Sequence, residues 1–413
     1  MDQCSLNVLK VWHLTKLSGG GAGQYALRLS RALHSEGVES AVLIAEGEVL
    51  GGADLLIAEP SFLRSSATRA WVAILRRATN ATAFHTGFRL NRWQPKSPIM
   101  PEDIVHLHGM TGWIGFGGLE AMIPAGTRVF WTAHDLWMMS GGCVVYTGCE
   151  KFRAGCQVCP LLKPPFQRIS RLELLRKSRF VAGRSVIPIA NSRWTAEKIL
   201  GSSMFPHATN VPIVPPIVDD TCFAPAEEPC LREELGISPD RHIIGLGARA
   251  LTDPLKGIQE FLEHLARVPE LARRVTVLLF GEGKLSVAGG LDCRFLGPVA
   301  DASQLARIYR ACDIFISPSR METFGMTFLE AQACGTPVAG FRVGGVMEAV
   351  WEGDEINFVP GGDMEALLKV MNRRLGYARE SDGLADARRT WVSQKFSAAK
   401  VARLQLAAYA GTM

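Results

Sequence analysis

Residues 317–350 read SPSRMETFGMTFLEAQACGTPVAGFRVGGVMEAV. Glu322 and Glu330 stand eight positions apart, across a glycine-containing loop that runs into an apolar helical segment. At about 1.5 Å per helical residue, eight positions span at most roughly 12 Å. That is the reach from one hydroxyl-bearing ring, across a diphosphate, to another. Two carboxylates so placed can accept hydrogen bonds from two sets of hydroxyls on one ligand. The backbone N–H groups of Phe324, Gly325 and Met326, at the helix start, would face the phosphates between them.

Outward from this stretch, short apolar runs alternate with helical patterns. Segments 7–13, 41–45, 104–108, 128–132 and 186–190 read as buried strands, and 22–36, 62–78, 168–181 and 193–200 as helices. A proline-rich stretch from Asn210 suits a linker, after which the pattern restarts. Strands are expected at 243–247, 276–280, 294–296, 314–317 and 338–339, and helices at 257–268, 302–311, 327–334 and 363–375. The alternation predicts an α/β protein of two doubly wound, parallel-sheet, Rossmann-like domains facing a central cleft, with ligands at the carboxyl ends of the strands. The expected boundaries are 1–215, 216–390, and a last helical segment, 391–413, that crosses back to the first domain.

Two further elements suit an anion. Gly19-Gly20-Gly21-Ala22-Gly23 follows a strand and opens a helix, although Gln24 stands where a dinucleotide fingerprint needs glycine. Arg249 and Lys256 flank a loop joining a strand end to a helix start, where two cations could neutralise a diphosphate leaving group.

The 317–350 stretch resembles the signature of family 4 retaining glycosyltransferases of the GT-B fold: E-x7-E, then E-A-x-A-C/S-G-x-P-V and a Gly-Gly-x-x-Glu turn. Here these are Glu322, Glu330, Ala331, Ala333, Cys334, Gly335, Pro337, Val338, Gly344, Gly345 and Glu348. The glycine loop, Ile189-Ala190-Asn191-Ser192, the Arg249/Lys256 pair and Phe280-Gly281-Glu282-Gly283 resemble further family motifs, so the likeness spans nearly the whole chain. It implies that Glu330 holds the ribose of a nucleotide sugar, and that Glu322 and the backbone at Phe324, Gly325 and Met326 contact the transferred sugar. Arg249 and Lys256 would meet the diphosphate, with Gly21 and Gly23 also on the nucleotide-sugar side. His134, in Thr132-Ala133-His134-Asp135, matches the family's histidine lining the donor-sugar pocket, and with Glu322 is the expected catalytic residue. Neighbouring His106 and His108 read as core or cleft-lining. Retention without an obligatory metal is implied, and no cofactor is required for catalysis.

His134-Asp135-Leu136-Trp137 leads into Cys143, Cys149, Cys156 and Cys159. This resembles a subset of bacterial exopolysaccharide transferases of the colanic-acid type. Four thiols within 17 residues suit a tetrahedral structural Zn²⁺, with an iron–sulfur cluster or free or paired thiols as alternatives. Four cysteine ligands would leave no open position for catalysis.

The chain has 413 residues, 47% of them hydrophobic and 21% charged, which excludes a disordered or fibrous protein. No uninterrupted apolar run is long enough to span a membrane, and no signal peptide is visible, so a cytoplasmic location is expected. Seven basic residues and no acid fall between Ser61 and Pro101 (Arg64, Arg69, Arg76, Arg77, Arg89, Arg92, Lys96). Seven more lie between Lys163 and Arg184 (Lys163, Arg168, Arg171, Arg176, Lys177, Arg179, Arg184), against only Glu173. Solvated helix faces are one reading; attraction to an anionic membrane surface is the other, with Phe62, Leu63, Trp71, Val72, Ile74 and Leu75 as an apolar face. No nucleic-acid-binding signature accompanies the charge. The expectation is a hexosyltransferase moving sugar from a UDP- or GDP-sugar to a lipid-linked saccharide at the membrane, in surface-polysaccharide assembly. A soluble small acceptor, and a catalytically silent nucleotide-sugar-binding partner of an assembly complex, are the rivals.

Overall fold

A computed structural model describes residues 10–46, 53–55, 57–58, 62–79, 84–88, 93–224, 231–287, 290–299, 301–376 and 382–413. The chain forms two units, Met1–Pro215 with Val401–Met413, and Pro216–Lys400.

In the first unit β1 (Val11–Leu17), β2 (Ser40–Glu46), β3 (Ala53–Leu55), β4 (Ile104–Leu107), β5 (Arg128–Ala133) and β6 (Ile187–Ala190) form one sheet in the order β3-β2-β1-β4-β5-β6. Every pairing is parallel. Its helices are α1 (Gly20–Ser35), α2 (Phe62–Ala78), α3 (Phe116–Met122), α4 (Ile169–Gly183) and α5 (Arg193–Leu200). The expected first strand is displaced: β1 continues to Leu17 because Leu14 and Thr15 pair with Leu43 and Ile44, while residues 7–9 lie outside the described residues. Helix α3 forms in a glycine-rich segment whose pattern predicts none. Phe116 and Leu119 are buried, and the Phe116 ring stacks on Trp137 at 6.0 Å, so packing overrides weak propensity.

The second unit repeats the order. Strands β7 (His242–Ala250), β8 (Val275–Glu282), β9 (Asp292–Gly297), β10 (Ile314–Ser317), β11 (Val338–Arg342) and β12 (Phe358–Pro360) run β9-β8-β7-β10-β11-β12, again all parallel. The helices used below are α6 (Ile258–Ala266), α7 (Ala302–Ala311), α8 (Met326–Ala333), α9 (Met364–Leu375) and α10 (Asp382–Phe396). The continuous apolar runs make sense here. Strand β10 is buried along its length, as a parallel strand covered on both faces must be.

Helix α10 extends the second unit beyond the expected residue 390. Arg388 is wholly buried and grips Asp354 at 2.7 and 2.9 Å, and its third nitrogen donates to the Gly335 carbonyl at 3.2 Å. The last helix, α11 (Ala398–Ala410), starts after Ser397 and groups with the first unit from Val401 on. There Tyr409 packs on Phe130, ring centroids 4.8 Å apart.

Candidate functional site

In both sheets the strand order reverses beside the first strand, at β1/β4 and at β7/β10. Ligands of doubly wound sheets bind at such a switch point, beyond the carboxyl ends of the strands. In the second unit the segments that leave this point carry the expected residues. Arg249 is exposed near the end of β7, and Lys256 follows on a short turn. Glu322 lies in the loop after β10, and α8 begins at Met326. Strand β7 runs on to Ala250, past the expected 247, so Arg249 lies on the strand; a Cβ on Gly247 would sit 1.9 Å from the Phe280 ring, which occupies that space.

Two contacts bring Lys256 and Glu322 together. Arg320 N donates to Leu255 O at 2.8 Å, joining the two loops. The Lys256 ammonium then meets the Glu322 carboxylate at 2.6 Å, both half-buried. Gly257 (φ 65°) is required at this junction, since a Cβ would come within 2.3 Å of the Pro318 carbonyl. Gly344 (φ 55°) is equally confined, since a Cβ would come within 1.8 Å of the Glu322 carbonyl, and Gly345 N donates to that carbonyl at 3.1 Å. The Gly-Gly turn therefore cradles Glu322.

Gly325, at φ 109°, opens α8 with no side-chain cap, leaving that helix end suited to an anion. Phe324 and Gly325 are buried, Met326 is half-buried, and Glu330 is buried one turn on. The helix is fixed from behind by wholly buried Gln332. Its amide donates to Phe328 O (2.8 Å) and Ala349 O (2.7 Å) and accepts from Trp351 N (2.7 Å).

In the first unit α1 begins at the glycine loop, again without a side-chain cap. The two expected glycines differ. Gly23 is buried and demanded by packing, since a Cβ would meet the Leu17 carbonyl at 2.1 Å, whereas Gly21 is exposed with open space beside it. Asn191-Ser192 serves the local structure, because Ser192 Oγ accepts from Thr195 N at 3.1 Å and caps α5.

His134 follows β5 and joins a cluster that composition and motif spacing did not reveal. His13, wholly buried on β1, pairs in register with His106 on β4. His13 Nδ1 lies 2.9 Å from His108 Nε2, and His108 Nδ1 lies 3.1 Å from His134 Nε2. His106 instead bonds Tyr409 OH and Thr132 Oγ1, both at 2.7 Å. Burial lowers the pKa of all four, to about 3 for His13 and His134, so the rings are neutral at pH 7. The available signal was His106-x-His108; nothing pointed to His13.

The segment after His134 is bolted down. Trp137 N donates to Asp135 at 2.8 Å, and wholly buried Lys177 donates to the carbonyls of Trp137 and Ser140 while lying 3.9 Å over the Trp137 ring. Burial pulls the Lys177 pKa down to about 8 and pushes Asp135 up to about 6. Lys177 and Glu173 thus belong to the core and not to a basic surface, a correction to the reading of 163–184.

The fold brings Cys143, Cys149, Cys156 and Cys159 within electrostatic reach of one another. Hydrogen bonding from Cys143 lowers the Cys159 pKa to about 7, and Cys156 Sγ accepts from Gly141 N at 3.3 Å. Among the described residues, the group of potential ligand atoms lying within 4.8 Å of one another is His13, His106 and His108. Cys143, Cys149, Cys156 and Cys159 remain the four ligands proposed for a structural zinc. Cys4 and Cys230 lie outside the described residues.

Residues 19–221 match the family described as Glycosyltransferase Family 4, and residues 241–376 the family described as Glycosyl transferases group 1. The chain carries both glycosyltransferase domains. The D-inositol 3-phosphate glycosyltransferase of Arthrobacter sp. (strain FB24) is 35% identical over 286 residues, 64% of this chain and 60% of that protein. The protein of the same name from Stackebrandtia nassauensis is 34% identical over 207 residues, 44% of this chain and 46% of that one. The chain thus spans about half the length of the curated relatives it matches. Anabaena Alr3699/HepE, solved in complex with UDP-glucose, superposes with a TM-score of 0.64 at 17% identity, covering 98% of this chain and 100% of that one. Sucrose-phosphate synthase from Thermosynechococcus elongatus gives 0.66 at 19%, covering 98% of each. The two glycosyltransferase domains have the GT-B fold.

Proposed function

We propose that the chain is a retaining glycosyltransferase that takes a hexose from a UDP- or GDP-sugar. The observation that carries this is the Lys256–Glu322 pair, set at the switch point of the second sheet beside the uncapped start of the helix that bears Glu330. In this reading Glu330 accepts from the ribose hydroxyls, and Arg249 and Lys256 take the diphosphate with the Phe324–Met326 backbone. Glu322 and His134 meet the transferred sugar. The acceptor oxygen bonds the anomeric carbon on the face the diphosphate leaves, and its proton passes to a phosphate oxygen as the sugar–phosphate bond breaks. Positioning and charge stabilisation, rather than a strong base, supply the rate. A melting panel with UDP, GDP, ADP and their hexose conjugates tests the donor site. At ligand about 100-fold above Kd, binding adds roughly 2.7 kcal/mol to stability. A shift with one nucleotide class, lost in Glu330→Ala, is expected; no shift with any of them would leave a partner that organises an assembly complex without a working donor site as the better reading.

For the acceptor we favour a lipid-linked saccharide of surface-polysaccharide assembly. The support is one face of α4, where Arg168, Arg171, Leu172, Leu175, Arg176 and Arg179 recur at helical spacing and all are exposed, Leu172 at 57% and Leu175 at 45%. Exposed leucines between arginines suit an anionic lipid interface. On α2, Arg69, Ile74 and Arg77 are exposed but Leu75 is buried. The side chains of Phe62, Leu63, Arg64 and Arg76, and residues Arg89 and Arg92, lie outside the described residues. Among the described residues no helix is long and apolar enough to cross a membrane. At about 1 kcal/mol per basic residue near an anionic surface, replacing Arg171, Arg176 and Arg179 by Gln should weaken binding to phosphatidylserine vesicles about 100-fold. The names of the relatives favour a second reading, a soluble phosphorylated polyol, and turnover of inositol phosphate without vesicle binding would establish it.

A further inference from the structure

Three imidazoles form one hydrogen-bonded file from the core of the first unit to His134: His13 Nδ1 to His108 Nε2 at 2.9 Å, then His108 Nδ1 to His134 Nε2 at 3.1 Å. A neutral imidazole carries a single N–H, and each contact needs one donor and one acceptor. Only two arrangements satisfy both contacts. In the outward one, His13 donates from Nδ1, His108 donates from Nδ1, and His134 accepts at Nε2. In the reverse one, His134 and His108 donate from Nε2, and His13 must carry its own proton on Nε2. The structure separates the two at the buried end. His13 Nε2 is buried and has no hydrogen-bond partner among the described residues. The reverse arrangement would therefore bury an N–H with no acceptor, whereas the outward one leaves only a lone pair unmet. Orphaned buried donors are the rarer kind, and the cost of a buried unpaired group corresponds to a bias of about ten- to hundredfold. His106 does not interrupt the file, because its two nitrogens face Tyr409 and Thr132.

We propose that His13 and His108 are positioning residues that lock His134 in the tautomer protonated on Nδ1, so that His134 works as an Nδ1–H donor and never as an Nε2–H donor. The functional half of this rests on the reading of His134 as a sugar-contacting residue; the tautomer assignment does not. His13 takes part from the core, through one intermediate ring.

The test is long-range proton–nitrogen correlation on the full chain labelled with ¹⁵N-histidine. His13, His108 and His134 are each expected to carry the proton on Nδ1. In His13→Asp, whose ionised carboxylate accepts but cannot donate, the file should reverse and His134 should carry its proton on Nε2. The kcat of sugar transfer should then fall about tenfold while the donor KM stays within twofold. His13→Asn, whose side-chain amide can stand in for Nδ1–H, should restore both. An Nε2 proton on His134 in the wild type would overturn the proposal, and so would a His134 signal unchanged in His13→Asp. One equivalent of transition metal that copurifies and is lost on replacing His13 or His108 would also overturn it, since a ligated nitrogen cannot relay a proton position. If His13→Asp does not fold, the wild-type spectrum decides alone. Absence of transferase activity would count against the proposed function while the spectra still decide the file.

Discussion

Between pH 7 and pH 5.5 the first unit should lose about 4 kcal/mol of stability, read as a steep fall in melting temperature by circular dichroism. The cause is three wholly buried imidazoles. His13, His106 and His108 have pKa values pushed by burial far below the ordinary 6.5. In the unfolded chain the same rings take up protons as the pH falls through 6.5. The unfolded state then binds more protons than the folded one, so the stabilisation is fully present above pH 6.5 and is lost as the pH drops. Each ring contributes about 1.4 kcal/mol per pH unit once its unfolded form is protonated. Over this interval three rings remove an amount comparable to the whole stability of a marginal domain. The C–H resonances of the three rings should not titrate above pH 5.5. A melting temperature that stays level over the interval, or imidazoles that titrate near 6.5, would refute the account.

Lys256→Ala should lower kcat for sugar transfer by about 100- to 1000-fold, the cost of removing one preorganised group that stabilises developing charge. The ion pair makes the experiment sharper than a simple charge deletion. Lys256 lies 2.6 Å from Glu322, so its loss removes the expected partner of the leaving diphosphate and also frees the carboxylate beside the expected sugar position. Glu322→Gln removes the carboxylate but leaves the ammonium. If the two act as one unit, the double variant should be scarcely worse than Lys256→Ala alone. Strictly additive losses would mean that the contact is incidental, and near-normal turnover in Lys256→Ala would place the leaving-group charge elsewhere.

Much of this was legible in the residues because parallel strands covered on both faces must be apolar throughout. Ile314–Ser317 and Ala302–Ala311 are found where the pattern puts them. Glu322, Gly325 and Glu330 stand around the start of α8, beyond the carboxyl end of β10, where their spacing across loop and helix puts them. What escaped reading depends on partners remote in sequence. Lys177 looked like one more surface cation on a basic helix, and only the carbonyls of Trp137 and Ser140 turn it inward. His13 lies 95 residues from its partner His108, and no local pattern distinguishes a strand histidine that pairs from one that merely packs.

The placement of α11 has a consequence for synthesis. Residues Pro216–Lys400 are contiguous and complete a whole unit, whereas the first unit needs a segment, Val401–Met413, that follows all of them. Tyr409, the partner of His106, leaves the ribosome only after the whole of Pro216–Lys400. During translation the earlier part of the chain therefore waits, its sheet uncovered along that side, until the later part has folded and delivered the helix. Order of emergence and order of completion are inverted.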